Sequence, residues 1–183
     1  KQRQLLMENN YQSEVMVHYK DEYAGTIDLL CSVPEITTEL EFNEETHTYT
    51  LNGKTLPSVT KLLDDGTYTN VDPFILQQAC DRGHEIHKEL ELYFKKGILG
   101  DTREFYEAIS LIEKNKDLLN EPSIVDFKTY AKATKQNKEK CLKQEIMYGK
   151  AVKELTGIEI KNYLMIHLPK GNKGKLINLG GIK

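Results

Sequence analysis

The chain has 183 residues, 39% of them hydrophobic, with a formal net charge of −3. That is enough for one globular domain with its own core, and the composition excludes a disordered chain. The mild negative charge excludes nucleic-acid binding by bulk charge alone, and no run of about 18 apolar residues or basic-then-apolar leader occurs, so a cytoplasmic chain without a membrane span is expected.

Residues 2–9 read as a short helix ending at Asn9-Asn10. A strand over 13–19 follows, and a turn at Lys20-Asp21-Glu22 folds it into a hairpin with a second strand over 23–31. In that second strand Ile27 and Leu29 should share one face and Asp28 the other. Glu14, which opens the hairpin, is expected at the surface. After Pro34, residues 40–43, 48–51 and 54–56 form a small antiparallel β-meander, an appendage over residues 36–57. Asn52-Gly53 is its two-residue turn, and His47 is exposed at its tip. The three cysteines, Cys31, Cys80 and Cys141, have no metal-ligand spacing and read as reduced, buried thiols.

Ser58 is a natural N-cap for a short helix leading to a loop over 64–71. Asp72 and Pro73 open a long helix over 73–96 that Gly97 closes. On it Ile86, Leu90 and Tyr93 form one stripe, while Gly83, His87 and Glu91, at i, i+4 spacing, form a neighbouring one. His84 and His87 are three residues apart, not four, which excludes the zinc-protease pattern H-E-x-x-H. His87 is then either a satisfied core side chain or a ligand. Residues 101–119 read as a single amphipathic packing helix.

Residues 123–129 form a strand with Val125 and Phe127 facing a core and Asp126 and Lys128 projecting together from the other face. An exposed salt bridge is one reading of that pair, a functional charge cluster the other. The last helix, over 134–155, turns Cys141, Gln144, Tyr148, Val152 and Leu155 inward, and an inward amide needs partners. Lys132, Lys135 and Lys140, near Lys128, make either a solvated helix face or a basic surface able to track phosphates. Residues 159–167 alternate as a strand, and the Gly- and Lys-rich tail beyond Pro169 is expected to be loosely held.

A carboxylate inside an apolar strand is costly unless it is paired or bound to metal. Asp28 and Asp126 beside Lys128 suit a hard divalent cation such as Mg²⁺, which takes few protein oxygens and completes its octahedron with water and substrate phosphate.

Four short motifs accompany these carboxylates: Gly25-Thr26-Ile27-Asp28, Asp126-Phe127-Lys128, Gln144-Glu145-Ile146-Met147-Tyr148 and Gly83-His84-Glu85-Ile86-His87. Together they resemble the PD-(D/E)XK nuclease superfamily, and within it the RecB-like and phage-exonuclease branch, over most of the chain. The resemblance implies an α/β fold, a central mixed β-sheet flanked by helices in a restriction-endonuclease-like core, with residues 1–183 one domain. It implies a metal-dependent DNA exonuclease of recombination, with Mg²⁺ or Mn²⁺ held by His87, Asp28, Asp126 and the Phe127 carbonyl. Lys128 would orient the attacking water, Gln144 and Tyr148 would act beside it on the DNA strand, and Lys132, Lys135 and Lys140 would bind DNA. DNA ends, a single-strand annealing protein and an oligomeric assembly are the partners such an enzyme implies. A structure-specific endonuclease or resolvase has the same chemistry. A non-catalytic DNA-binding module of this fold is the rival from another class; it predicts that an acidic or lysine position is lost, and none is.

The segment order departs from the family. There the Gly-x-x-x-His helix comes first, then the Gly-x-x-Asp strand, then Asp-x-Lys after a short loop. Here Asp28 precedes His87 and lies far from Asp126. Placing residues 1–34 between Leu119 and Asn120 would restore the family order, so a rearranged block is expected, engineered or else genuinely transposed, with the same residues meeting in one site either way.

Overall fold

In a computed structural model that describes residues 10–64, 66 and 71–181, a hairpin of β1 (Tyr11–Tyr19) and β2 (Tyr23–Cys31) begins the main sheet. The helix expected over 2–9 and most of the loop over 64–71 lie outside the described residues. The meander follows as β3 (Leu40–Asn43), β4 (Thr48–Leu51) and β5 (Lys54–Leu56), a separate three-stranded antiparallel sheet. Its turn is set by Asn52 and Gly53, both at positive φ (50° and 83°), the geometry an Asn-Gly hairpin favours.

Helices α1 (Val59–Leu62), α2 (Pro73–Lys96), α3 (Arg103–Lys114) and α4 (Lys116–Leu119) lead to β6 (Ser123–Lys128). The Asp72 carboxylate accepts from the Phe74 and Ile75 backbone N–H groups, and Gly97 ends α2 in the left-handed conformation, so both boundaries of the long helix follow from its caps. Where one helix was expected over 101–119 there are two. The break falls at Asn115, whose side chain turns back to donate to the Leu111 carbonyl at 2.7 Å, competing with the helical ladder.

Helix α5 (Lys135–Thr156) then crosses to β7 (Asn162–His167), which runs parallel to β6, as a helical crossover allows. The tail past Pro169 is not loose. Strand β8 (Lys175–Asn178) pairs with β7 and leads into a 3₁₀ turn, Leu179–Gly181, with Leu179 buried. The Glu107 carboxylate accepts from the Gly174 N–H at 3.0 Å, and Arg103 donates to the Pro169 and Asn172 carbonyls. The main sheet is therefore mixed, ordered β1-β2-β6-β7-β8, with only β6 and β7 parallel.

The sheet lies between two apolar cores. One joins Val125, Phe127, Leu164 and Ile166 to Ile86, Leu90 and Tyr93 of α2 and Phe105 and Ile109 of α3. The other joins Val15, Val17 and Ile124 to Tyr148, Ala151 and Val152 of α5. Ile27 and Leu29, expected on one face, divide between these cores, Ile27 with Val15 and Leu29 with Phe127. Between them, opposite Asp28, the β1–β2 ladder skips Glu14, whose backbone is left-handed at φ 49°, and a bulge-like break of this kind upsets strict alternation. Cys31 and Cys141 are buried as expected, whereas Cys80 is exposed on α2. Leu155, also expected inward, is only half-buried near the end of α5. No described helix is long and apolar enough to cross a membrane.

Candidate functional site

Strands β2 and β6 pair only over Leu29–Cys31 and Ser123–Val125. Beyond that they splay, and the candidate site occupies the fork. Within a strand the N–H and C=O of one residue point to the same edge, so past the last ladder rung those of Phe127 need other partners. Asp28 supplies one: its Oδ2 accepts from the Phe127 N–H at 2.9 Å. His87, from α2, approaches the other, with Nε2 2.9 Å from the Phe127 carbonyl oxygen and 3.1 Å from Asp28 Oδ2.

The opposite ring nitrogen fixes what this means. His87 Nδ1 lies 2.8 Å from the Gly83 carbonyl, which only accepts, so Nδ1 carries a hydrogen. A neutral ring would then aim its Nε2 lone pair at two oxygens. Either a second ring proton or a cation resolves the clash. The second proton is compatible with the local charge: burial lowers the His87 pKa, but the Asp28 charge and hydrogen bond outweigh it and raise it to about 10. Burial likewise pushes Asp28 up, yet His87, a hydrogen bond with Asp126 and the Lys128 charge together hold it well below the usual carboxylate range.

The same donor set fits a divalent ion. Adjacent ligands of an octahedral ion with bonds of about 2.0–2.1 Å stand about 3.0 Å apart, and the two His87 Nε2 to oxygen separations are 2.9 and 3.1 Å. Asp126 stands on the other face of β6 and shares a hydrogen bond with Asp28. Its pKa is raised to about 7, first by burial and then by the Asp28 charge, against the pull of Lys128.

From Asp126 a polar chain runs along β6 and α5. Lys128 Nζ is 3.2 Å from Asp126 Oδ2 and donates to Gln144 Oε1 at 3.3 Å, and Gln144 Nε2 donates to the Tyr148 hydroxyl at 3.0 Å. Burial lowers the Lys128 pKa, but Asp126 more than offsets it and the ammonium is held well above its ordinary range. Burial and the nearby Asp126 charge also push the Tyr148 phenol up.

Both motif glycines allow close approach. A Cβ on Gly25 would collide with the Tyr148 ring, and one on Gly83 would meet Thr129 Oγ1 at 3.3 Å. Gly25 thus lets α5 lie against β2, and Gly83 lets α2 pass the end of β6.

Asp28, His87, Asp126, Phe127, Lys128, Gln144 and Tyr148 are therefore one connected set, while His84 is exposed on α2. Of the lysines, Lys140 lines a cleft of about 490 Å³ together with Lys61, Lys128 and Gln144. Lys132 and Lys135 are exposed outside it, and Lys135 lies 3.9 Å from Glu139.

Two further carboxylates lie close to this set. Glu14, expected at the surface, is half-buried. Burial and the Asp28 charge raise its pKa to about 7, with His87 and Glu91 also near enough to act on it. Glu145 is fully buried: its Oε1 accepts from the Leu164 N–H at 3.1 Å, and the Cys141 thiol reaches its Oε2 at 3.4 Å. Burial, then the Asp126 charge, raises the Glu145 carboxyl well above its ordinary range. Cys141, Glu145, Tyr148 and Val152 follow i, i+4, i+7, i+11 spacing, so the helical period itself carried the signal. The chain was compared with protein-family models, curated proteins and solved structures, and nothing matched in any of the three.

Proposed function

We propose that this chain is a divalent-metal-dependent deoxyribonuclease built on a restriction-endonuclease-like core, acting as a recombination-type exonuclease. The observation that carries the reading is the approach of both Asp28 Oδ2 and the Phe127 carbonyl oxygen to within 3.1 Å of His87 Nε2, next to Asp126 and Lys128, with residues of all four motifs near one another despite their order in the chain.

His87, Asp28, Asp126 and the Phe127 carbonyl would hold Mg²⁺ or Mn²⁺. When bound, such an ion supplies Lewis-acid polarisation of a phosphodiester and a more acidic water. Asp28 serves two ends, accepting from the Phe127 N–H and setting His87, so the fork of β2 and β6 is pre-organised before substrate arrives. Lys128, held as an ammonium between Asp126 and Gln144, is a donor that orients a water or phosphate oxygen and stabilises developing negative charge. It does not serve as the proton acceptor. Gln144, fixed at both ends of its amide by Lys128 and Tyr148, aims that ammonium. The cleft bearing Lys61, Lys128 and Lys140 offers positive charge for the strand leading to the site.

End-labelled linear DNA and closed circular DNA incubated with Mg²⁺ or Mn²⁺ test the reading. Loss of label from the linear substrate alone, abolished by chelator and by Asp28→Asn, is the expected result. No metal-dependent cleavage of either substrate would overturn it.

A further inference from the structure

Beneath Lys128, on the α5 side of β6, three buried side chains converge that the proposed chemistry does not need together. Cys141 Sγ lies 3.3 Å from Asp126 Oδ2 and 3.4 Å from Glu145 Oε2. All three ligating atoms fall within 4.8 Å of one another, and the residues are 1%, 5% and 0% exposed, respectively, for Cys141, Asp126 and Glu145.

A thiol has one hydrogen and cannot serve two carboxylate oxygens at once. With Lys128 on Asp126 Oδ2, that hydrogen goes to Glu145 Oε2, so three buried acidic groups share one ammonium. Acids gathered in this way are kept neutral by protons or compensated by a metal ion.

The separations suit a metal. For tetrahedral Zn²⁺, with Zn–S about 2.3 Å and Zn–O about 2.0 Å, a sulfur and an oxygen ligand stand about 3.5 Å apart, close to both distances found. Thiolate selects thiophilic ions over Mg²⁺. Charge agrees too: a thiolate and two carboxylates against a divalent ion leave one negative charge, which the Lys128 ammonium cancels. Cys141 lines the cleft that also holds Lys128 and Gln144, so the cleft gives an ion a route to the sulfur.

We propose that Asp126, Cys141 and Glu145 form a second metal site, selective for a thiophilic divalent cation of the Zn²⁺ class and competing with the hard-metal site for Asp126. The binding stands on the cluster alone. Its consequence, inhibition of DNA cleavage by Zn²⁺ at concentrations where Mg²⁺ supports it, rests on the nuclease reading.

The test uses Cd²⁺ as probe and the full chain carrying Cys80→Ser, which removes the exposed thiol. Sulfur-to-cadmium charge-transfer absorption should rise to one equivalent of Cd²⁺ and persist in Asp28→Asn, which damages only the hard-metal site. Cys141→Ser should abolish the band. Glu145→Gln, nearly isosteric and able to keep the Leu164 bond, should retain it but weaken Cd²⁺ binding by the roughly 10–100-fold that losing even a supporting group costs a metal site. Absence of the band, its survival in Cys141→Ser, or unchanged affinity in folded Glu145→Gln would each overturn the proposal. All are read without DNA, so an inactive enzyme that binds Cd²⁺ at Cys141 refutes the nuclease reading and leaves this one standing.

Discussion

Asp28 and Phe127 are joined by a hydrogen bond from the Phe127 N–H to Asp28 Oδ2, 2.9 Å long, across 99 residues of sequence. That bond brings two distant stretches of the chain together. The ladder beside it pairs Cys31 with Ser123, and the Ser32 hydroxyl donates to the Leu119 carbonyl at 2.7 Å. The end of the first block therefore lies against the start of β6. The meander and helices α1–α4 lie in sequence between two strands that are antiparallel neighbours in space, so the sheet brings Asp28 and Phe127 together across that separation.

Asp126→Asn and Lys128→Ala should both cut cleavage by about 10²–10³ or more, the cost of removing a preorganised charge from a reacting site, while differing in stability. Asn mimics the protonated acid that Asp126 already is below pH 7, so Asp126→Asn should melt near wild type at pH 6 and above it at pH 8. Lys128→Ala instead removes the counter-charge of an Asp126 that ionises above pH 7, so it should lose more stability at pH 8 than at pH 6. Equal melting shifts for the two variants would contradict the pairing described here.

Without metal, stability should fall as pH rises. Asp126 and Glu14 are raised to about 7 and His87 to about 10, against ordinary values near 4 and 6.5. Between about pH 4 and 10 the folded state therefore binds more protons than the unfolded one, and stability declines with pH. Asp28, held low, works the other way: its contribution is present above about pH 4 and is lost in acid. Melting in chelator should be highest near pH 5 and fall steadily to pH 9. A flat or rising profile would contradict these shifts.

A divalent ion must displace the second proton of His87. Stabilisation by Mn²⁺ should consequently grow with pH and exceed that by Mg²⁺, since imidazole is the softer ligand. His87→Ala should lose most of that metal-dependent rise in melting temperature, and His84→Ala, exposed on α2, almost none. Calorimetric titration in two buffers of different ionisation heat reads the released proton directly, and its absence in wild type would rule His87 out as a ligand.

Much of this site was legible because its signals are local. Asn52-Gly53, the Asp72-Pro73 start and the Gly97 stop dictate backbone geometry from within a few residues, and the four motifs are each short. What escaped depends on distant partners. The tail is ordered by β7, Glu107 and Arg103, none adjacent in sequence. Glu14 turns inward because its backbone is left-handed opposite Asp28. Glu145 was passed over because a charged residue beside Gln144 reads as solvated, although the period of α5 carries it to the sheet.

Among the lysines, Lys140 lines the cleft while Lys135 is exposed near Glu139. If the strand follows the cleft, Lys140→Ala should weaken DNA binding and lower the salt-dependence slope by about 0.9 for duplex or 0.7 for single strands, one phosphate contact. Lys135→Ala should change the slope little. Binding isotherms over a salt series decide this, and the reverse ranking would move the DNA path out of the cleft.

Gly25→Ala and Gly83→Ala separate the packing roles of the two motif glycines. At Gly25 the added Cβ meets the Tyr148 ring, itself buried, so the ring or β2 must move, at an overpacking cost of about 1–3 kcal/mol. Because Tyr148 anchors Gln144 and Gln144 holds Lys128, that displacement should lower kcat as well as stability. At Gly83 the new methyl meets only a hydroxyl at 3.3 Å, and alanine favours the helix by up to about 1 kcal/mol, so stability should hold or rise. Melting temperature and kcat measured together check both: Gly25→Ala should lose on both counts, and a Gly25→Ala protein with wild-type kcat would show that Tyr148 does not position the lysine.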